Sequence, residues 1–144
     1  MTSKITLNVD ALFEALTRAV FYGAKASQLW QYTREIVDML YPVGAYPHMD
    51  GLGRALAAEA LIRRAVTAIG GVSADALGVL LCLSPGMVGR PPHERHRIAA
   101  GLFDRQPRAF LRGRYRHDLL YDLAVEIYRI HTTGETTNPP TVDA

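Results

Sequence analysis

NVDALFEALTRAVFYG, residues 8–23, decides the fold class. Val9, Leu12, Phe13, Leu16 and Val20 recur at the i, i+3, i+4, i+7 spacing that puts apolar side chains on one stripe of an α-helix. Asn8 is placed to cap the helix start, Asp10 suits its positive end, and Gly23 is a natural stop. Working outward, the same period repeats along the chain. A second helix is expected from Ser27 to Pro42, burying Leu29, Ile36, Val37 and Leu40. A third runs from Leu52 to Ile69, with Leu56, Ile62, Val66 and Ile69 inward. A fourth, capped by Ser73, carries Leu77, Leu80, Leu81 and Leu83. Pro91 and Pro92 lead into a fifth with Ile98, Ala99, Leu102 and Phe103 on its inner face. Pro107 opens a short helix with Phe110 and Leu111, and a last helix from Tyr115 to His131 carries Leu119, Leu120, Leu123, Ile127 and Ile130. The fold expected is all-α: one compact domain of five to seven helices over residues 1–131. Residues 8–69 form a three-helix part, residues 73–131 a helix-turn-helix-like part, and the threonine-rich residues 132–144 a flexible tail.

At 144 residues the chain suits one domain, and 49% hydrophobic residues supply a core. The uncharged stretch from Ala76 to Val88 is too short to span a bilayer, and the first residues hold no apolar run of signal-peptide length, so a cytoplasmic location and no membrane role are expected. The lone Cys82, between Leu81 and Leu83, excludes an internal disulfide and reads as an inert core thiol.

Charge is distributed unevenly. Residues 1–89 are neutral overall, residues 90–116 hold eight arginines against Glu94 and Asp104, and residues 117–144 are acidic. Within the basic stretch, residues 97–103 suit the first helix of a helix-turn-helix, Asp104-Arg105-Gln106 the turn, and residues 107–112 the start of the second. Arg105, Arg108, Arg112, Arg114 and Arg116 would then face outward, able to meet phosphates or guanine edges of duplex DNA as a dimeric regulator. The same residues equally fit an ordinary helical hairpin with a solvated arginine face. Some of Arg95, Arg97 and Arg112 are expected to reach Asp118, Asp122 or Glu126; without that pairing, the arginine patch would stand open to an outside anion.

The run from Ala76 through Leu83-Ser84-Pro85-Gly86, then Gly89-Arg90-Pro91-Pro92, Glu94-Arg95, Arg97, Ala99-Ala100, Pro107, Phe110, Arg112, Leu119-Leu120 and Leu123-Ala124, resembles an actinobacterial helix-turn-helix-like helical module. Such modules accompany effector or signalling domains in conflict and regulatory systems. Over residues 74–131 the resemblance implies a non-enzymatic adaptor that regulates a partner protein. Asp104-Arg105-Gln106 departs from it by lacking the glycine of a DNA-reading turn.

No catalytic constellation stands out. His93 and His96 share a helix face without a metal-site spacing, Ser84-Pro85-Gly86 lacks the context of a nucleophile elbow, and no phosphate-binding glycine loop is present, so neither enzyme chemistry nor a cofactor or metal is expected. Glu14, Glu35, Asp38 and Glu59 read as a solvated face. Trp30, Tyr41 and Tyr46, with Tyr32 and Met49 nearby, are candidates for a partner-binding hot spot, or for a plug at the end of the bundle.

Overall fold

The computed structural model describes residues 7–103 and 115–133. The described residues form seven helices, α1 (Val9–Tyr22), α2 (Ala26–Tyr32), α3 (Arg34–Leu40), α4 (Gly51–Ile69), α5 (Gly71–Leu80), α6 (Pro92–Leu102) and α7 (Tyr115–Thr133), and no strand. The protein is all-α and forms a single compact domain.

Each helix starts and stops for a local reason. The Asn8 side chain accepts from the Ala11 N–H at 2.8 Å, and that of Asp50 accepts from the Gly53 N–H at 2.6 Å, so α1 and α4 are capped by side chains of the type that favours this position. Gly70, with φ +71°, ends α4 and begins α5 at once, a left-handed turn that glycine adopts without a Cβ penalty. The start of α5 therefore lies two residues before Ser73, which sits inside the helix rather than capping it. Pro92 opens α6, where its missing N–H costs nothing.

The helix expected over residues 27–42 is broken at Thr33 into α2 and α3. Thr33 leaves the helical region, with φ −132° and ψ 49°, and is fully buried. Its hydroxyl has no hydrogen-bond partner among the described residues. The break turns α3 so that Ile36, Val37 and Leu40 still reach the core.

One core gathers residues from all seven helices. α5 packs on α6, α2 on α4, and α7 against both α1 and α4, so the last helix in sequence closes the first part of the bundle. Leu12, Leu16, Leu29, Ile36, Leu40, Ile62, Leu77, Leu80, Leu81 and Leu120 are fully enclosed. Burying a leucine or isoleucine contributes about 1.5–3 kcal/mol each. Leu56 and Leu102, expected inside, are exposed. α7 continues through Thr132 and Thr133, whose hydroxyls donate to the Tyr128 and Arg129 carbonyls. No helix among the described residues is long and apolar enough to cross a membrane.

Candidate functional site

Among the described residues the most deeply buried charged side chain is Arg95. It lies on α6 and is only 1% exposed. Its Nη1 donates to the Val20 carbonyl at 2.6 Å and to the Leu80 carbonyl; Nη2 donates to Phe21 O at 3.2 Å and Nε to Arg90 O at 3.0 Å. Val20 and Phe21 belong to the last turn of α1, and Leu80 ends α5. The last carbonyls of a helix have no partner within it and carry the negative end of its dipole. One planar guanidinium therefore caps two helix C-termini at once. Burial pulls the Arg95 pKa below its ordinary value, yet arginine stays charged under all relevant conditions. Arg95 is thus spent on carbonyls and not on Asp118, Asp122 or Glu126; Arg112, also named for that pairing, lies outside the described residues.

Of the arginines proposed to face DNA, Arg105, Arg108, Arg112 and Arg114 lie outside the described residues, as do the turn and second helix of the proposed helix-turn-helix. Arg116 is described, at the start of α7, half-buried, with Nη1 3.3 Å from His96 Nε2. His96 Nδ1 is 2.7 Å from the Pro92 carbonyl. Arginine and carbonyl together fix the tautomer: Nδ1–H donates to Pro92 and Nε2 accepts from Arg116. Burial first, and then the charges of Arg116 and Arg95, lower the His96 pKa, opposed by the Pro92 hydrogen bond. Arg90 pairs with Glu94 at 3.0 Å. Arg97 is exposed and makes no ion pair with a described residue. Glu126 pairs with Arg129 on its own helix, and Asp118 lies 3.3 Å from His117. Asp122 is exposed and has no ion pair among the described residues.

The acids read as a solvated face are mostly engaged. Glu35 pairs with Arg18 and Asp38 with Arg54. Glu59 accepts from the Ala26 N–H at 2.8 Å, at the positive start of α2, and from Arg63 at 2.8 Å. Arg63 also donates to Leu83 O at 3.2 Å, so it is committed where it lines a groove of about 310 Å³ with Thr67, Asp75 and Ser84.

Trp30, Tyr41 and Tyr46 are not brought into one cluster by any ring contact joining all three. Trp30 is half-buried against Gly51, with the Arg34 guanidinium 3.7 Å above its ring and Arg54 at 5.4 Å. Tyr41 meets Tyr46 edge-on at 5.0 Å and His131 at 5.5 Å. The more exposed aromatic set lies at the junction of α1 and α2. Tyr22 and Tyr32 stack with ring centroids 4.4 Å apart and planes 10° from parallel. They are 46% and 50% exposed, and neighbouring Phe21 is 56% exposed. Sequence reasoning named Tyr32 and missed Phe21 and Tyr22. The available signal was their position one and two residues past Val20, off the buried stripe of α1.

Cys82 is buried and takes φ +61°, and its thiol points to the Met87 carbonyl at 3.7 Å. Burial pushes its pKa up, against the lowering charges of Arg95 and Lys25. No three His, Cys, Asp or Glu side chains converge as a metal site among the described residues. Comparison with protein-family models, curated proteins and solved structures finds no match to this chain.

Proposed function

We propose that the chain is a non-enzymatic interaction module that docks a partner protein through Phe21, Tyr22 and Tyr32. The observation that carries this reading is the stacked, half-exposed tyrosine pair beside an exposed phenylalanine. Apolar clusters left in water mark contact surfaces, and Tyr and Trp anchors dominate binding energies because they bury much area at small entropic cost. The stacking holds both rings in place before a partner arrives, which lowers the ordering cost of binding. The buried polar groups support the same reading: Arg54, Arg95 and His96 serve backbone and neighbouring side chains instead of converging on a pocket. The resemblance of residues 74–131 to modules that accompany effector domains points the same way, toward an adaptor that regulates its partner. Affinity purification from the native host tests it with the wild type beside the triple variant F21S/Y22S/Y32S. A partner retained by the wild type and lost by the variant, at unchanged helical content, is expected; identical partner sets would overturn the reading.

A second reading, a dimeric regulator bound to duplex DNA through Arg105, Arg108, Arg112, Arg114 and Arg116, draws on the excess of arginine over residues 90–116 and on Arg97, exposed without an acid among the described residues. It ranks second because Arg90, Arg95 and Arg116 are engaged within the chain. A gel shift on duplex DNA at low salt separates the two. DNA binding predicts retardation, with a log–log salt slope of about −0.9 per phosphate contact; no retardation removes this reading.

A further inference from the structure

We propose that the outward face of α7 docks a basic amphipathic helix from another protein. The inward face of this helix, Leu119, Leu120, Leu123, Ala124, Ile127 and Ile130, is consumed by the core. The outward face carries exposed Asp118, Asp122 and Arg129, but it is not wholly polar. Tyr121, Val125 and Tyr128 are 38%, 42% and 36% exposed. At 100° per residue their directions fall within about 60° of one another, so they form a second apolar stripe at i, i+4, i+7. Tyr121 is steadied by Phe13, whose ring meets it edge-on at 5.7 Å.

Charge decides what covers this stripe. Asp118 and Asp122 project along one edge of it, next to Val125 in helical direction. The Asp118 side chain is largely exposed, and its ion-pair partner among the described residues is His117. Neither acid meets an arginine among the described residues, because Arg95 is turned to helix ends and Arg129 is held by Glu126. An apolar stripe bordered by two exposed carboxylates that meet no arginine among the described residues complements a helix that carries leucine-like residues on one face and lysines or arginines beside them. The same carboxylates repel nucleic acid and anionic lipid. A second copy aligned in parallel would set Asp118 and Asp122 against themselves. This surface shares no residue with the aromatic cluster of α1 and α2.

The test uses the full chain at pH 7.5 and a fluorescent 18-residue peptide of leucine and lysine, with leucines at amphipathic spacing. Its partners are a scrambled peptide of the same composition and one with glutamate for lysine. Fluorescence anisotropy should show the ordered basic peptide binding at least about tenfold more tightly than the scrambled one. V125D, and separately D118K/D122K, should each weaken it by a similar factor, and D118K/D122K should gain affinity for the glutamate peptide. F21S/Y22S should bind as the wild type does, so that failure here and failure of the proposed function are read apart. Circular dichroism confirms that the variants, all at exposed positions, remain folded. Equal binding of ordered and scrambled peptides, or indifference to D118K/D122K, would overturn the proposal. So would loss of binding in F21S/Y22S, or sedimentation showing a dimer that V125D dissociates, which gives the face to a second copy.

Discussion

At the scale of single residues, Arg95 is the side chain whose removal should matter most. Arg95→Ala would strand the Val20, Phe21, Leu80 and Arg90 carbonyls and open a void between three elements. Leaving several buried acceptors unpaired costs about 1–3 kcal/mol each when water cannot replace the donor, so a loss of about 3 kcal/mol or more in urea unfolding is expected. Arg95→Lys should recover only part of it, since an ammonium lacks the fork that spans two helix ends. A loss below about 1 kcal/mol would mean water satisfies those carbonyls. Cys82 supports a separate expectation. Its thiol is buried and its pKa raised by that burial, and the thiolate is the reactive form. In native buffer at pH 7.5 it should react with a thiol reagent far more slowly than in denaturant; equal rates would contradict its placement. In the sequence Arg95 read as one of the arginines that could pair with the acids of the last helix, not as a cap on helix ends. What distinguishes it is the meeting of the α1 and α5 ends, a tertiary fact that no spacing within α6 reveals.

Between elements, the α2–α4 contact rests on close approach. Gly51 begins α4 under the Trp30 ring, and a Cβ there would meet the ring itself. Gly51→Ala should therefore destabilise by about 1–3 kcal/mol, the usual cost of overpacking. In a Trp30→Ala background the same change should cost nothing, because the obstructing ring is gone. A double-mutant cycle by thermal unfolding checks this, and additive effects would refute the contact. The hydrogen bond that links α7 to α6, from Arg116 to His96, should depend on pH. His96 accepts from Arg116 only when neutral, and its pKa is lowered from 6.5, mainly by burial; burial also lowers that of His131. When a folded-state pKa lies below the unfolded one, the unfolded chain binds more protons between the two. Stability should thus be full above pH 6.5 and fall as pH drops through the range below it, levelling once the folded histidines are themselves protonated. Urea midpoints from pH 7.5 to 5 should show this fall, diminished in His96→Gln; a flat profile would contradict it.

Taken whole, the molecule shows which parts of a helical fold a sequence can announce. The stripes of α1 and α7 were legible because each helix shows one continuous face to one core: Leu12, Leu16 and Val20, and Leu119 through Ile130. The break at Thr33 was not, because Leu29, Ile36 and Leu40 keep helical spacing across it, and only the packing of α3 demands the turn. Leu56 and Leu102 were misplaced because apolar character does not guarantee burial; much of any protein surface is apolar. Phe21, Tyr22 and the outward stripe of α7 were hidden for the complementary reason, since an exposed aromatic looks in sequence like one more core residue. Glu35 and Asp38 pair with arginines 17 and 16 positions away, and Glu59, besides its i,i+4 pair with Arg63, reaches the Ala26 N–H 33 positions away; such distant partners lie beyond any local motif.

The central claim is that the α1–α2 aromatic cluster is a protein-docking surface, and site-specific photo-crosslinking in the native host tests it most directly. A photoreactive phenylalanine analogue placed at Tyr22, and in a control chain at exposed Ala68 on α4, samples what each surface touches. A discrete higher-mass adduct from position 22, absent from position 68 and lost when Phe21 and Tyr32 are changed to serine, is predicted. No adduct at position 22, or the same adducts from both positions, would contradict the account.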